Sequence, residues 1–106
     1  MPNFYGTSSN DTLTGTVEAD HIDGDFGDDL ISGLAGDDTL LGGAGSDIIL
    51  GGPGNDLIDG GQGQDTASYA DATAGVTVDL SLSTAQETGG AGNDTLSNIE
   101  SLIGSE

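Results

Sequence analysis

The sequence predicts an all-β chain, a solenoid of very short parallel strands, and three observations predict it. Reading from Gly6, the chain divides without remainder into seven nine-residue units that end at Ser68. Every unit opens on Gly and carries Asp at its sixth position, and the eighth position is Leu or Ile in all but the last, which has Ala67. Glycines at positions one, two and four allow positive φ and close backbone approach, so the first six residues of a unit read as a turn and the last three as a strand.

Side chains alternate across a strand, so only position eight faces inward. The inward residues are Leu13, Ile22, Ile31, Leu40, Ile49, Ile58 and Ala67. A single unit cannot hide its one apolar side chain, so units must stack, with successive strands alternating between two sheets. Two units then make one coil of 18 residues. Units one, three, five and seven supply one parallel sheet, units two, four and six supply the other, and the turns fall into columns along both edges.

Charge decides what the columns can hold. The chain has no Lys or Arg, 19 Asp plus Glu, one His and no Cys, for a formal charge of −19. Aromatic residues make up 4 %. Such a composition suits a disordered chain, but a solvating tract would not keep Asp and aliphatic residues in fixed register. Self-repulsion opposes compaction, so positive charge must come from outside. Phosphate-backbone binding needs basic side chains, which excludes nucleic acid as a partner. Without Cys there is neither a disulfide framework nor a thiolate site, and oxygen ligation of a hard cation remains.

No 18-residue apolar run offers a membrane span, and the opening MPNFYGTSSN lacks the charged and apolar regions of a secretory signal. No catalytic constellation is present, and the chain is read as no enzyme. His21 stands alone at an outward position seven and reads as solvated, and the neighbours Asp37 and Asp38 point apart.

Units five and six, GGAGSDIIL and GGPGNDLID, match the pattern G-G-x-G-x-D-x-U-x in full, and GGQGQDTAS fails only at Ala67. Units three and four carry Asp25 and Leu34 in place of the second Gly. Units one and two, GTSSNDTLT and GTVEADHID, have Ser9 and Glu18 at position four and look like worn terminal repeats. In this pattern residues 6–68 resemble the RTX (repeats-in-toxin, hemolysin-type) calcium-binding nonapeptide repeats. The resemblance implies a right-handed parallel β-roll, a form of β-helix, with calcium ions between stacked turns.

Stacking brings the Asp of one unit to within about one strand spacing, ~4.8 Å, of the Asp two units on, and such carboxylates repel unless a cation lies between them. The expected carboxylate ligands are Asp11, Asp20, Asp29, Asp38, Asp47, Asp56 and Asp65, with Asp94 in a later unit. The pairs Asp11/Asp29, Asp20/Asp38, Asp29/Asp47, Asp38/Asp56 and Asp47/Asp65 make five sites, and five Ca²⁺ ions would bring the charge from −19 to −9. The pairs containing Asp11 and Asp20 are the weakest. Two carboxylates plus carbonyls of alternate turn residues, pointing up and down the stack, give roughly six oxygens, which suits Ca²⁺ better than Mg²⁺. The expected carbonyl donors are Gly24, Asp28, Gly33, Ala35, Asp37, Gly42, Ala44, Ser46, Gly51, Pro53, Asn55, Gly60, Gly61 and Gly63. The side chains of Asp23, Asp25, Asp28, Asp37 and Asp59 read as a solvating surface.

Residues 1–5 read as an N-terminal leader and 6–68 as the array. Residues 69–88 read as an irregular insert with one longer strand marked by Val76, Val78, Leu80 and Leu82. Residues 89–106 hold a further unit, GGAGNDTLS, and a C-terminal strand with Ile99, Leu102 and Ile103, which either cap the roll or continue it. This order is similar to a variant found in RTX arrays of large secreted bacterial proteins. Leu30, Ile48 and Leu50 point outward on one sheet, Leu41 and Leu57 on the other. Residues 69–106 cover one set, or the set docks a flanking domain or a second copy as a homodimer, or it is simply exposed.

The expected function is that of a structural module that folds on binding calcium. The resemblance implies a place in a larger secreted bacterial protein, a toxin, protease, lipase, epimerase or adhesin, exported in one step without a signal peptide. Two alternatives stand beside it: a carbohydrate-binding or auxiliary module of a polysaccharide-active enzyme, and an adhesin or ice-binding roll. The last would need a flat threonine ladder, for which Thr12, Thr39 and Thr66 are too scattered.

Overall fold

The computed structural model describes residues 3–68, 86–87, 93–99 and 101–103. The alternating strand expected at residues 76–82 lies outside them. The described residues form eleven strands and no helix, so they hold no helix long and apolar enough to cross a membrane. Seven strands occupy positions seven to nine of the seven units: β2 (Thr12–Thr14), β3 (His21–Asp23), β4 (Leu30–Ser32), β5 (Thr39–Leu41), β6 (Ile48–Leu50), β7 (Leu57–Asp59) and β8 (Thr66–Ser68). Around them lie β1 (Asn3–Tyr5), β9 (Gln86–Glu87), β10 (Asn93–Ser97) and β11 (Ser101–Ile103).

Odd and even units separate as expected. One sheet runs β11-β8-β6-β4-β2, the other β1-β3-β5-β7-β10-β9. Pairing is parallel and joins equal positions, as in Leu30↔Ile48, Ile31↔Ile49 and Ser32↔Leu50. Ladder bonds extend past both strand ends: Leu30 N donates to Asp11 O at 2.9 Å and Gly33 N to Leu50 O at 2.8 Å.

The core is one side chain thick. Ile22, Ile31, Leu40, Ile49, Ile58 and Ala67 are fully buried, Leu96 and Ile99 nearly so, and Phe4 and Leu13 pack against the end of the row. Each is the middle residue of its strand apart from Ile99, which precedes β11, and Leu96, which is the eighth residue of the later unit. The flanking positions look out. Leu30, Ile48 and Leu57 are each a little over 40 % exposed, while Leu41 and Leu50 are half-buried. Thr12 and Thr66 share a sheet but are separated by β4 and β6, and Thr39 lies in the other sheet.

The roll extends beyond the seven units. β1 pairs with β3 so that Phe4 stands opposite Ile22, where a position-eight residue would be. β10 stacks on β7 with Leu96 opposite Ile58, so the later unit joins the even column although 38 residues, not 18, separate Asp56 from Asp94. β11 then stacks on β8 with Leu102 opposite Ala67. The turn before β11 is shortened, and Asn98 takes a φ of 55° there while its side chain donates to Asp59 Oδ1 at 2.8 Å.

Candidate metal-binding turns

Each column of turns is threaded by its sixth-position aspartates. In the odd column Asp11 N donates to Asp29 Oδ1 at 2.8 Å, Asp29 N to Asp47 Oδ1 at 2.9 Å and Asp47 N to Asp65 Oδ1 at 2.9 Å. In the even column Asp20 N donates to Asp38 Oδ1 at 2.8 Å, Asp38 N to Asp56 Oδ1 at 2.9 Å and Asp56 N to Asp94 Oδ1 at 2.8 Å. All five pairs formed from the seven units are therefore adjacent rungs, and Asp56/Asp94 is a sixth. The eight aspartates are buried apart from Asp11, which is half-buried at the end of its column.

In Asp29, Asp38, Asp47 and Asp56 one carboxylate oxygen is thus occupied, which leaves the other. The Oδ2 atoms of Asp29, Asp38, Asp47 and Asp56 are buried and have no hydrogen-bond partner. An unsatisfied buried polar atom costs about 1–3 kcal/mol, and a charged one more. No Lys or Arg exists to supply the missing charge. Burial pushes the Asp38 carboxyl up to about 6 and the Asp47 carboxyl up to about 7, with Asp65 and Asp29 adding repulsion at Asp47. Burial, reinforced by the charges of Asp94 and Asp38, raises Asp56 to about 9. The Asp29 carboxyl is raised for the same first reason.

Carbonyl oxygens converge on these same atoms. The space above Gly24, where a Cβ would sit, lies 2.6 Å from Asp29 Oδ2 and 2.7 Å from the Gly42 carbonyl oxygen of the next coil. The equivalent space at Gly42 lies 2.6 Å from Asp47 Oδ2 and 2.7 Å from the Gly60 oxygen. Position one must be Gly because a methyl group there would strike both oxygens. Position-one carbonyls point back along the stack, whereas those of Asp25, Leu34 and Gly43 at position two approach the coil that follows. Among the described residues no three acidic or imidazole side chains converge, so a cation between two coils would take its remaining oxygens from the backbone. The donor set is all oxygen, irregular and partly anionic, and it fits Ca²⁺.

Position two controls where its amide points. From the third unit on it is left-handed: Asp25 has φ 68°, Leu34 64°, Gly43 84°, Gly52 79° and Gly61 78°. In this conformation Asp25 N donates outward to Asp23 Oδ1 and Gly61 N to Asp59 Oδ1, both at 3.0 Å. In the first two units Thr7 N and Thr16 N instead donate inward, at 2.6 Å, to Oδ2 of Asp11 and Asp20.

Sequence reasoning missed these threonines, and it missed a second ladder at position five. Asp28 N donates to Asn10 Oδ1 at 2.7 Å, Ser46 N to Asp28 Oδ1 and Asn55 N to Asp37 Oδ1, both at 2.8 Å. Asp28 and Asp37 are exposed as a solvating surface would be, yet each carboxylate also ties its coil to the next. Asn, Asp or Ser at position five of units one, three, four, five and six was the available signal.

A parallel roll whose edges are columns of buried carboxylates, with the Oδ2 atoms of Asp29, Asp38, Asp47 and Asp56 unpartnered, facing backbone carbonyls, defines a cation-binding repeat module. The chain belongs to the RTX calcium-binding nonapeptide repeat family, whose model matches residues 5–40, 32–67 and 88–97. No curated protein matches the chain. As members of that family its repeats form a structural calcium-binding module.

Proposed function

We propose that this module folds when calcium enters the two aspartate columns, and that it serves a larger secreted protein. The carrying observation is the set of four buried Oδ2 atoms without partners, in a chain with no Lys or Arg. Bound Ca²⁺ supplies the charge that lets stacked carboxylates approach. The sixth-position aspartates hold the ion from both coils, and position-one carbonyls such as Gly42 and Gly60 close on it. The other turn carbonyls expected from the sequence complete the sphere. A hard cation with short, octahedral bonds suits this spacing poorly, so Mg²⁺ is a weak substitute. Low cytosolic calcium would keep the chain open for export, and extracellular calcium would then fold it.

Calcium titration followed by far-UV circular dichroism tests the proposal. A coil spectrum in chelator, a β spectrum in calcium and little change with magnesium are expected. Identical spectra in chelator and calcium would refute calcium-coupled folding. The outward pair Leu30 and Ile48, opposed on neighbouring strands, supports a second, smaller reading as a docking surface for a flanking domain or a second copy. Sedimentation in calcium should then show Ile48→Asp as a folded monomer where the native chain dimerises, and a monomeric native chain leaves only the flanking domain.

A further inference from the structure

The turns of the first two units satisfy their carboxylates with the chain's own donors. Thr7 N and Thr16 N reach Oδ2 of Asp11 and Asp20. The hydroxyls act with them: Thr7 Oγ1 donates to Asp11 Oδ1 at 3.0 Å, and Thr16 Oγ1 to Asp20 Oδ1 at 2.8 Å. Each hydroxyl also accepts from the position-four amide, Ser9 N or Glu18 N, at 3.1 Å. The Gly33 carbonyl still approaches the space above Gly15, as its counterparts do elsewhere. Here, however, an N–H hydrogen lies where a cation would need the Oδ2 lone pair. A β-branched residue resists positive φ, so threonine at position two keeps the amide turned inward. Hydrogen bonds to an ionised carboxylate are among the stronger ones available.

We propose that position two selects between a metal and an internal donor, so that the Thr7 and Thr16 turns form a metal-free end-cap and calcium binding starts at the third unit. The ions then lie at Asp29/Asp47, Asp38/Asp56, Asp47/Asp65 and Asp56/Asp94, which makes four ions in place of the five expected from spacing alone. The first three sites lie inside the array, and the fourth bridges the long insert through the ladder bond from Asp56 N to Asp94 Oδ1. This inference rests on the calcium reading above.

Counting bound calcium on the full chain by native mass spectrometry and by equilibrium dialysis with radioactive calcium tests it. The native chain should bind four ions, Asp20→Asn should still bind four, and Asp38→Asn should bind three. Thr16→Val, which removes the hydroxyl but keeps the inward amide, should stay at four. Thr16→Gly/Glu18→Gly converts the second unit to the full pattern and should bind a fifth ion. Loss of an ion in Asp20→Asn, or an unchanged count in the double variant, overturns the end-cap while leaving calcium binding intact. A native chain that binds no calcium overturns both readings.

Discussion

At φ 64° Leu34 occupies a conformation that costs a non-glycine residue about 1–2 kcal/mol. Its amide makes no bond to Asp38, whose Oδ2 has no hydrogen-bond partner. Leu34→Gly relieves that strain and loses part of the gain, roughly 0.5–1 kcal/mol, to the greater freedom of glycine in the unfolded chain. The expected result is a calcium-loaded roll more stable by about 0.5–1 kcal/mol in guanidinium unfolding, with the ion count unchanged. Asp47 and Asp11 give a sharper contrast. Asp47 is buried, donates to Asp65, accepts from Asp29 and has an open Oδ2, whereas Asp11 is half-buried and capped by Thr7. Asp47→Ala should raise the calcium midpoint well above that of Asp11→Ala, and equal shifts would mean that position within the column does not matter. The pairing of these aspartates was legible because a nine-residue spacing in an 18-residue coil leaves each Asp only one neighbour on either side. The threonine caps were not legible, since Thr7 and Thr16 register in the pattern as missing glycines rather than as added donors.

In the seven units each element is a strand of three residues between turns of six, and in β3 to β7 only the middle residue is buried. Ile49→Ala should therefore cost about 2–5 kcal/mol, as expected for a fully buried aliphatic side chain. Ile48→Ala, one residue away and outward, should stay within about 0.5 kcal/mol. Denaturant unfolding at saturating calcium compares the two, and similar losses would contradict the single-file core. The strict period made this alternation readable from sequence. Elements without the glycine signature were harder. Phe4 stands opposite Ile22 in an inward register, although residues 1–5 carry none of the glycine signature of a unit. Only three residues separate β10 from β11, so the place of β11 opposite β8 could not be counted forward in nines. Register survives the long insert because Leu96 and Asp94 recreate both signals of the array, the inward aliphatic residue and the ladder aspartate.

For the whole molecule, proton and calcium compete for the same carboxylates. In the ion-free roll Asp38, Asp47 and Asp56 are raised to about 6, about 7 and about 9, and Asp29 is raised as well, each first by burial. The unfolded chain titrates these groups near 3.8. A folded state with raised carboxyl pKa values binds protons more tightly than the unfolded one, so its stability falls as pH rises between the two values. The contribution is fully present below about pH 4 and is lost as pH climbs through about 6 for Asp38, about 7 for Asp47 and about 9 for Asp56. Acid also reduces the formal charge of −19, so repulsion across the whole roll weakens in the same direction. A calcium-free sample taken from pH 8 toward pH 4 should gain β signal in far-UV circular dichroism and contract in small-angle scattering. At pH 8 the same gain should require calcium. A chain that stays an expanded coil throughout the acid titration would show that cancelling charge in the columns is insufficient, and that the ion is needed as a ligand that draws the carbonyls together.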